Sequence, residues 1–266
     1  MSLNFAAISP HPPIIVPGIG TEEDLQKAAD TVFGMKKLAS AFKEAEIDTL
    51  IVISPHSLIY PDQFNVAGMK KLFGTFSQFG APEIMMELGN DIDLALEIDK
   101  AANKEGLKTL LYDNNGEFME LDHGLMVPLY YLRVQQESSF KVVPIAYSNL
   151  SKASHFAFGQ VLRDVAKNYS GRVGILASGD LSHRLIQNHE GKVFDKKLKE
   201  DLKANKSAEI LQYDEDWLES IGECGYRSIL ILLGVLDGIK TKCDVLSYEG
   251  PFGVGYLVAN FKLPET

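Results

Sequence analysis

Three stretches, DTLIVIS at 48–54, FKVVPIAYS at 140–148 and RVGILASGD at 172–180, stay apolar over successive positions and are rich in β-branched residues. A strand with one wet face alternates apolar and polar residues. A strand apolar at every step is covered on both faces, as in parallel sheets whose crossovers lay helices above and below. Helical spacing separates the runs. Leu25, Ala28, Val32, Met35, Leu38 and Phe42 mark one helix, opened by Thr21 with Asp24 as an acidic capping box. Further helices are expected at 91–105, from Ser151 to Tyr169, and in two or three pieces over 190–239. ELDHGLMVPLYYLRV also reads as helical, with His123 just before its start, provided Pro128 lies in the first turn. Residues 57–82 are expected to form loop or edge strands, and CDVLSYEGPFGVGYLVANF two strands around a glycine-rich turn. Strand and helix alternate without a linker, which predicts one α/β layered domain over 1–266.

The strand ends carry the chemistry. FAAISPHPPI and LIVISPHS both run from an apolar segment into Ser-Pro-His. Proline stops a ladder and fixes its own φ, so the following histidine is turned out beyond the sheet edge. His11, His56, His183 and Glu249 all stand at such ends. In open α/β sheets the crevice beyond the carboxyl ends of the strands is where ligands bind, so residues distant in sequence can meet there. Two histidines and a carboxylate suit a non-heme Fe(II) centre with open positions, and unligated histidines suit proton transfer. His155 and His189 lie within or beside helical patterns and are read as structural. GPFGVG lacks the GxGxxG order and precedes a strand, so it reads as a turn.

A net charge of −10 excludes a broad basic surface for nucleic acid or anionic membrane. The two cysteines, Cys224 and Cys243, show no CxxC spacing and are expected to be free thiols in a reducing compartment. No signal peptide and no apolar run of spanning length is present, which points to the cytoplasm.

The ordered motifs SPHPPIIVPGIG, VISPHS, LDHGLMVPL, SGDLSHR and LSYEGPFGVGY, with ECGYRSILILLG, resemble the class III extradiol ring-cleavage dioxygenases. This is the LigB-like superfamily of the protocatechuate 4,5-dioxygenase catalytic subunit. The chain looks nearest to the radical-SAM-associated subgroup related to MEMO-like proteins. The resemblance implies a three-layer α/β/α domain with a mixed, mostly parallel sheet. It implies Fe(II) held by His11, His56 and Glu249, with His183 as acid/base and His123 as a second active-site histidine. It also implies a small catecholic substrate with O2, a homodimer, and a possible partner protein or domain. Residues around 57–82 and 114–122 would set substrate choice. MEMO-like relatives carry a cysteine where this chain has Glu249, which keeps a non-catalytic metal-binding module as an alternative. Zn(II) in the same triad would instead suit a hydrolase.

Overall fold

The computed structural model describes residues 3–134 and 139–264. In chain order the elements begin with β1 (Leu3–Ser9), α1 (Glu22–Lys27), α2 (Ala29–Glu44), β2 (Thr49–Ser54), β3 (Phe64–Ala67), β4 (Lys71–Phe76) and β5 (Ala81–Gly89). They continue with α3 (Ile92–Lys104), β6 (Thr109–Tyr112), β7 (Met119–Glu120), α4 (His123–Val134), β8 (Lys141–Ala146), α5 (Lys152–Asn168) and β9 (Val173–Ser178). The last are α6 (His189–Lys203), α7 (Ser207–Leu211), α8 (Glu215–Ile221), α9 (Tyr226–Leu236), β10 (Lys242–Glu249) and β11 (Tyr256–Lys262).

The main sheet has the order β10-β11-β1-β9-β2-β8-β3-β6. Its central strands β1, β9, β2 and β8 are parallel. β11 runs antiparallel to β1, β10 to β11, and β3 to β8, so the sheet is mixed. Every residue of β2 and β9 is buried, as their unbroken apolar runs require. Successive side chains leave a strand on opposite faces. Leu50 and Val52 accordingly pack with Met35 and Leu38 of α2 and Leu125 of α4, while Ile51 and Ile53 join Ile98 of α3, Phe158 of α5 and Leu230 of α9. Each such Leu or Ile removes enough apolar surface from water to contribute about 1.5–3 kcal/mol. The result is the three-layer α/β/α domain the motifs implied.

Several expectations need correction. The helix from Thr21 is two helices, because Ala28 leaves the helical region at φ −101°, ψ 29°; the capping box on Thr21 is present. The stretch 190–239 holds four helices rather than two or three. Cys224 falls in the turn before α9 rather than in a helix, while Cys243 lies buried on β10. Within 57–82, β3 lies inside the main sheet, and β4 joins β5 and β7 in a separate small sheet. Pro128 is the sixth residue of α4, beyond the first turn. Among the described residues no helix is long and apolar enough to cross a membrane.

Candidate functional site

His11 follows β1 by two residues and is buried. Its backbone N–H donates to Asp180 Oδ1 at 2.9 Å, and its Nδ1 lies 2.9 Å from Ser178 Oγ. Ser178 has one hydroxyl proton, and it goes to the Gly124 carbonyl at 2.5 Å. That carbonyl is available because Pro128, four residues on, has no N–H to give it. Ser178 Oγ must therefore accept from His11 Nδ1–H, which leaves the lone pair of the neutral ring on Nε2. A proline inside α4 thus sets the tautomer of a histidine after β1.

His11 Nε2 faces His56 Nε2 at 2.9 Å. This contact is a hydrogen bond when His56 carries its proton on Nε2. With the proton on Nδ1 it is the spacing of adjacent metal ligands, since two nitrogens about 2.1 Å from one ion and at right angles stand about 3.0 Å apart. His123 opens α4 and stacks on His56, with ring centroids 4.1 Å apart. Ligand atoms of His11, His56 and His123 lie within 4.8 Å of one another. His183, in the accessible loop after β9, contributes to the electrostatic depression of both His11 and His56. Four of the six histidines therefore gather at one edge of the sheet. His155 does not: it is buried, with Nδ1 2.8 Å from the Ser151 carbonyl.

Burial, reinforced by the neighbouring histidines, holds His11 well below its usual pKa. Burial first, and then His123, pull His56 down to about 4. Burial also lowers His123 and His183. The rings are neutral near pH 7 and offer lone pairs. A histidine pKa depressed in the folded state means that the unfolded chain binds more protons below the ordinary value, so stability falls with pH. The histidines are therefore expected to lower the melting temperature of the metal-free chain as pH falls from 6.5 toward 4, against the opposite contribution of Asp180, Asp195 and Glu223, whose carboxyl pKa values burial raises. In a pH series of thermal melts, a variant with His11, His56, His123 and His183 each replaced by Gln should lose less stability than the parent over that range.

Glu249 does not join this group. It ends β10, which is separated from β1 by β11. Its strand ends at the same edge, two places along the sheet from β1. Its Oε1 accepts hydrogen bonds from the Thr31 N–H and hydroxyl, both at 2.6 Å. Ala28, the N-cap of α2, has no side chain able to cap that helix, and Glu249 serves the free first-turn donors from across the fold. The donors that do face His11 Nε2 are Cys224 Sγ at 3.6 Å and Asp180 Oδ2 at 4.0 Å. Cys224 is brought there by a backbone contact so close that a Cβ on Gly179 would stand 2.1 Å from Gly225 Cα. Burial pushes the thiol of Cys224 up and raises Asp180 to about 7.

Beside the histidines opens a cavity of about 530 Å³ walled by Phe76, Phe79, Tyr112, Met119 and Met126. The small sheet supplies Phe76 and Met119, and both 57–58 and 112–122 contribute, close to the segments assigned to substrate choice. The Phe79 ring stands edge-on to His123 at 5.5 Å. Two neutral imidazoles 2.9 Å apart, with the His123 ring within 4.8 Å of both, fit a borderline divalent ion such as Fe(II) or Zn(II). Ser178→Ala removes the partner that fixes the His11 tautomer and should weaken metal affinity about 10–100-fold while leaving the fold intact. Competition with a chromophoric chelator measures this, and an unchanged affinity would contradict the tautomer argument.

Residues 5–259 match the family described as the catalytic LigB subunit of aromatic ring-opening dioxygenase. The chain is 35% identical to protein CA_C1420 of Clostridium acetobutylicum over 267 residues, covering 96% of this chain and 57% of that protein. It is 26% identical to the 3,4-dihydroxyphenylacetate 2,3-dioxygenase of Escherichia coli over 161 residues, covering 58% of this chain and 56% of the enzyme. The chain thus spans about half the length of these relatives. The crystal structure of Escherichia coli K12 protein JW3007 superposes with a TM-score of 0.66 at 17% identity, covering 96% of this chain and 98% of that one, a likeness of fold.

Proposed function

Because the chain belongs to the family of the catalytic LigB subunit of aromatic ring-opening dioxygenases, we propose that it is a non-heme Fe(II) extradiol dioxygenase. Its reaction would insert O2 into a catecholic ring next to the vicinal hydroxyls. The observation that carries this reading is the His11–His56 pair, Nε2 to Nε2 at 2.9 Å, beside an aromatic-lined cleft. The similarity to a 3,4-dihydroxyphenylacetate dioxygenase supports a catechol as substrate.

His11 and His56 would hold the ion. A third donor would complete the set: Asp180 and Cys224 face His11 Nε2, and Glu249, the ligand the resemblance implies, would have to leave its bonds to Thr31. Bound there, Fe(II) would supply a Lewis acid that lowers the phenol pKa and an electron source for O2. His183, neutral and accessible, would take the proton of a substrate hydroxyl and return it to the opened product. His123 would hold the substrate's oxygen by a ring N–H, kept in place by its stacking on His56. Phe76 and Phe79 would hold the ring against the histidines and exclude water. The homodimer implied by the resemblance stays part of the proposal, as does a further segment or partner, since the Clostridium acetobutylicum relative extends well beyond the matched span.

The test is anaerobic loading with Fe(II), followed by O2 and a panel of catechols, with oxygen uptake and the yellow ring-opened product followed together. Coupled uptake and product formation support the reading. Hydrolysis of esters or amides without O2 by the Zn(II)-loaded protein would replace it.

A further inference from the structure

Resting on the ring-cleavage reading, we propose that the cleft selects catechols whose ring substituent is neutral or positively charged, and that Glu120 sets this preference. Its walls next to the histidines are apolar and aromatic, suited to a ring. Its charged groups are of one sign. Among the described residues no Lys or Arg lines the cavity, whereas Glu120 and Asp122 do.

The two acids differ in role. Asp122 is tied to the frame through Oδ1, which accepts from Ser54 Oγ at 2.7 Å and from the Leu125 N–H at 3.1 Å. Its Oδ2 is buried with no hydrogen-bond partner, an acceptor left for a donor that enters the cleft. A buried acceptor without a partner is costly unless a ligand satisfies it. Glu120, on β7, is exposed and lines the same cavity. A substituent bearing an ammonium or hydroxyl meets acceptors there, and a carboxylate meets like charge in a partly desolvated pocket. The substrate class is therefore an aminoalkyl- or alkyl-substituted catechol rather than a catechol carboxylic acid.

Three ligands that share a ring and differ in side-chain charge test this: dopamine, 4-ethylcatechol and 3,4-dihydroxyphenylacetate. Titration calorimetry on the Fe(II)-loaded protein without O2, at pH 7 and low ionic strength, should rank them in that order, with dopamine at least about tenfold tighter than the acid. Glu120→Gln should narrow that ratio at least threefold or so by relieving the like-charge contact, and leave 4-ethylcatechol unchanged. Because Glu120 is exposed, this variant is expected to fold as the parent does, checked by thermal melting. Binding of all three with the acid equal or tighter, or an unchanged ratio in the variant, overturns the inference and leaves the ring-cleavage reading standing. No binding of any of the three overturns both.

Discussion

His11→Ala is expected to leave a folded chain that retains no tightly bound Fe(II) and opens catechol rings at least about a thousandfold more slowly, because the ion that supplies the chemistry is gone. Pro10 ends β1, His11 is buried, and three fixed partners orient it: Asp180 Oδ1 on its N–H, Ser178 Oγ on Nδ1 and His56 on Nε2. Alanine removes the one ring on which that whole frame converges. His56→Ala should act the same way, and the double variant should lose no more than either single one, since both serve one ion. Metal analysis after dialysis, with circular dichroism to confirm folding, reads the effect. Retention of Fe(II) by either variant would mean that the ion sits elsewhere.

The second large effect is at His183. His183→Ala is expected to lower the turnover rate about 10²–10⁴-fold while metal content stays that of the parent, the loss typical of a positioned acid/base group. Its neutral form is the one that accepts the substrate proton. Burial lowers its pKa beneath the ordinary 6.5, so the rate of the parent should rise with pH to a plateau reached before neutrality. The variant should lose that limb of the pH–rate profile. Glu249→Gln is a useful contrast: its carboxylate caps α2, so it should shift stability and leave the profile's shape alone. A His183→Ala enzyme with the parental profile would remove the residue from proton transfer.

The two-sided burial of β2 and β9 and the meeting of His11 and His56 were legible in the sequence, whereas His123 entered only through the family resemblance. An unbroken apolar run demands helices on both faces, and a histidine after a strand-ending proline is turned out over the carboxyl edge. Position along that edge was not legible. β10 is parallel to β1 and ends at the same edge, so Glu249 reads like the others; only the order β10-β11-β1 shows it displaced, and strand order is settled by packing across the whole domain. Cys224 was hidden for a similar reason. What carries it to His11 is the contact of Gly179 with Gly225, 46 residues apart in the chain, and neither glycine advertises the other. Pro128 was visible as an anomaly, and its consequence, a carbonyl released to Ser178, needed β9 to be placed beside α4.

The central claim is that this histidine cluster directs both atoms of O2 into a catechol ring. The most direct measurement is mass spectrometry of the ring-opened product formed by the Fe(II)-loaded protein under ¹⁸O₂. One oxygen of the new carboxylate and the oxygen of the new carbonyl are expected to carry the label at early times, and His11→Ala should form no labelled product. A product that takes its oxygen from water, or that forms equally well without O2, would contradict the account.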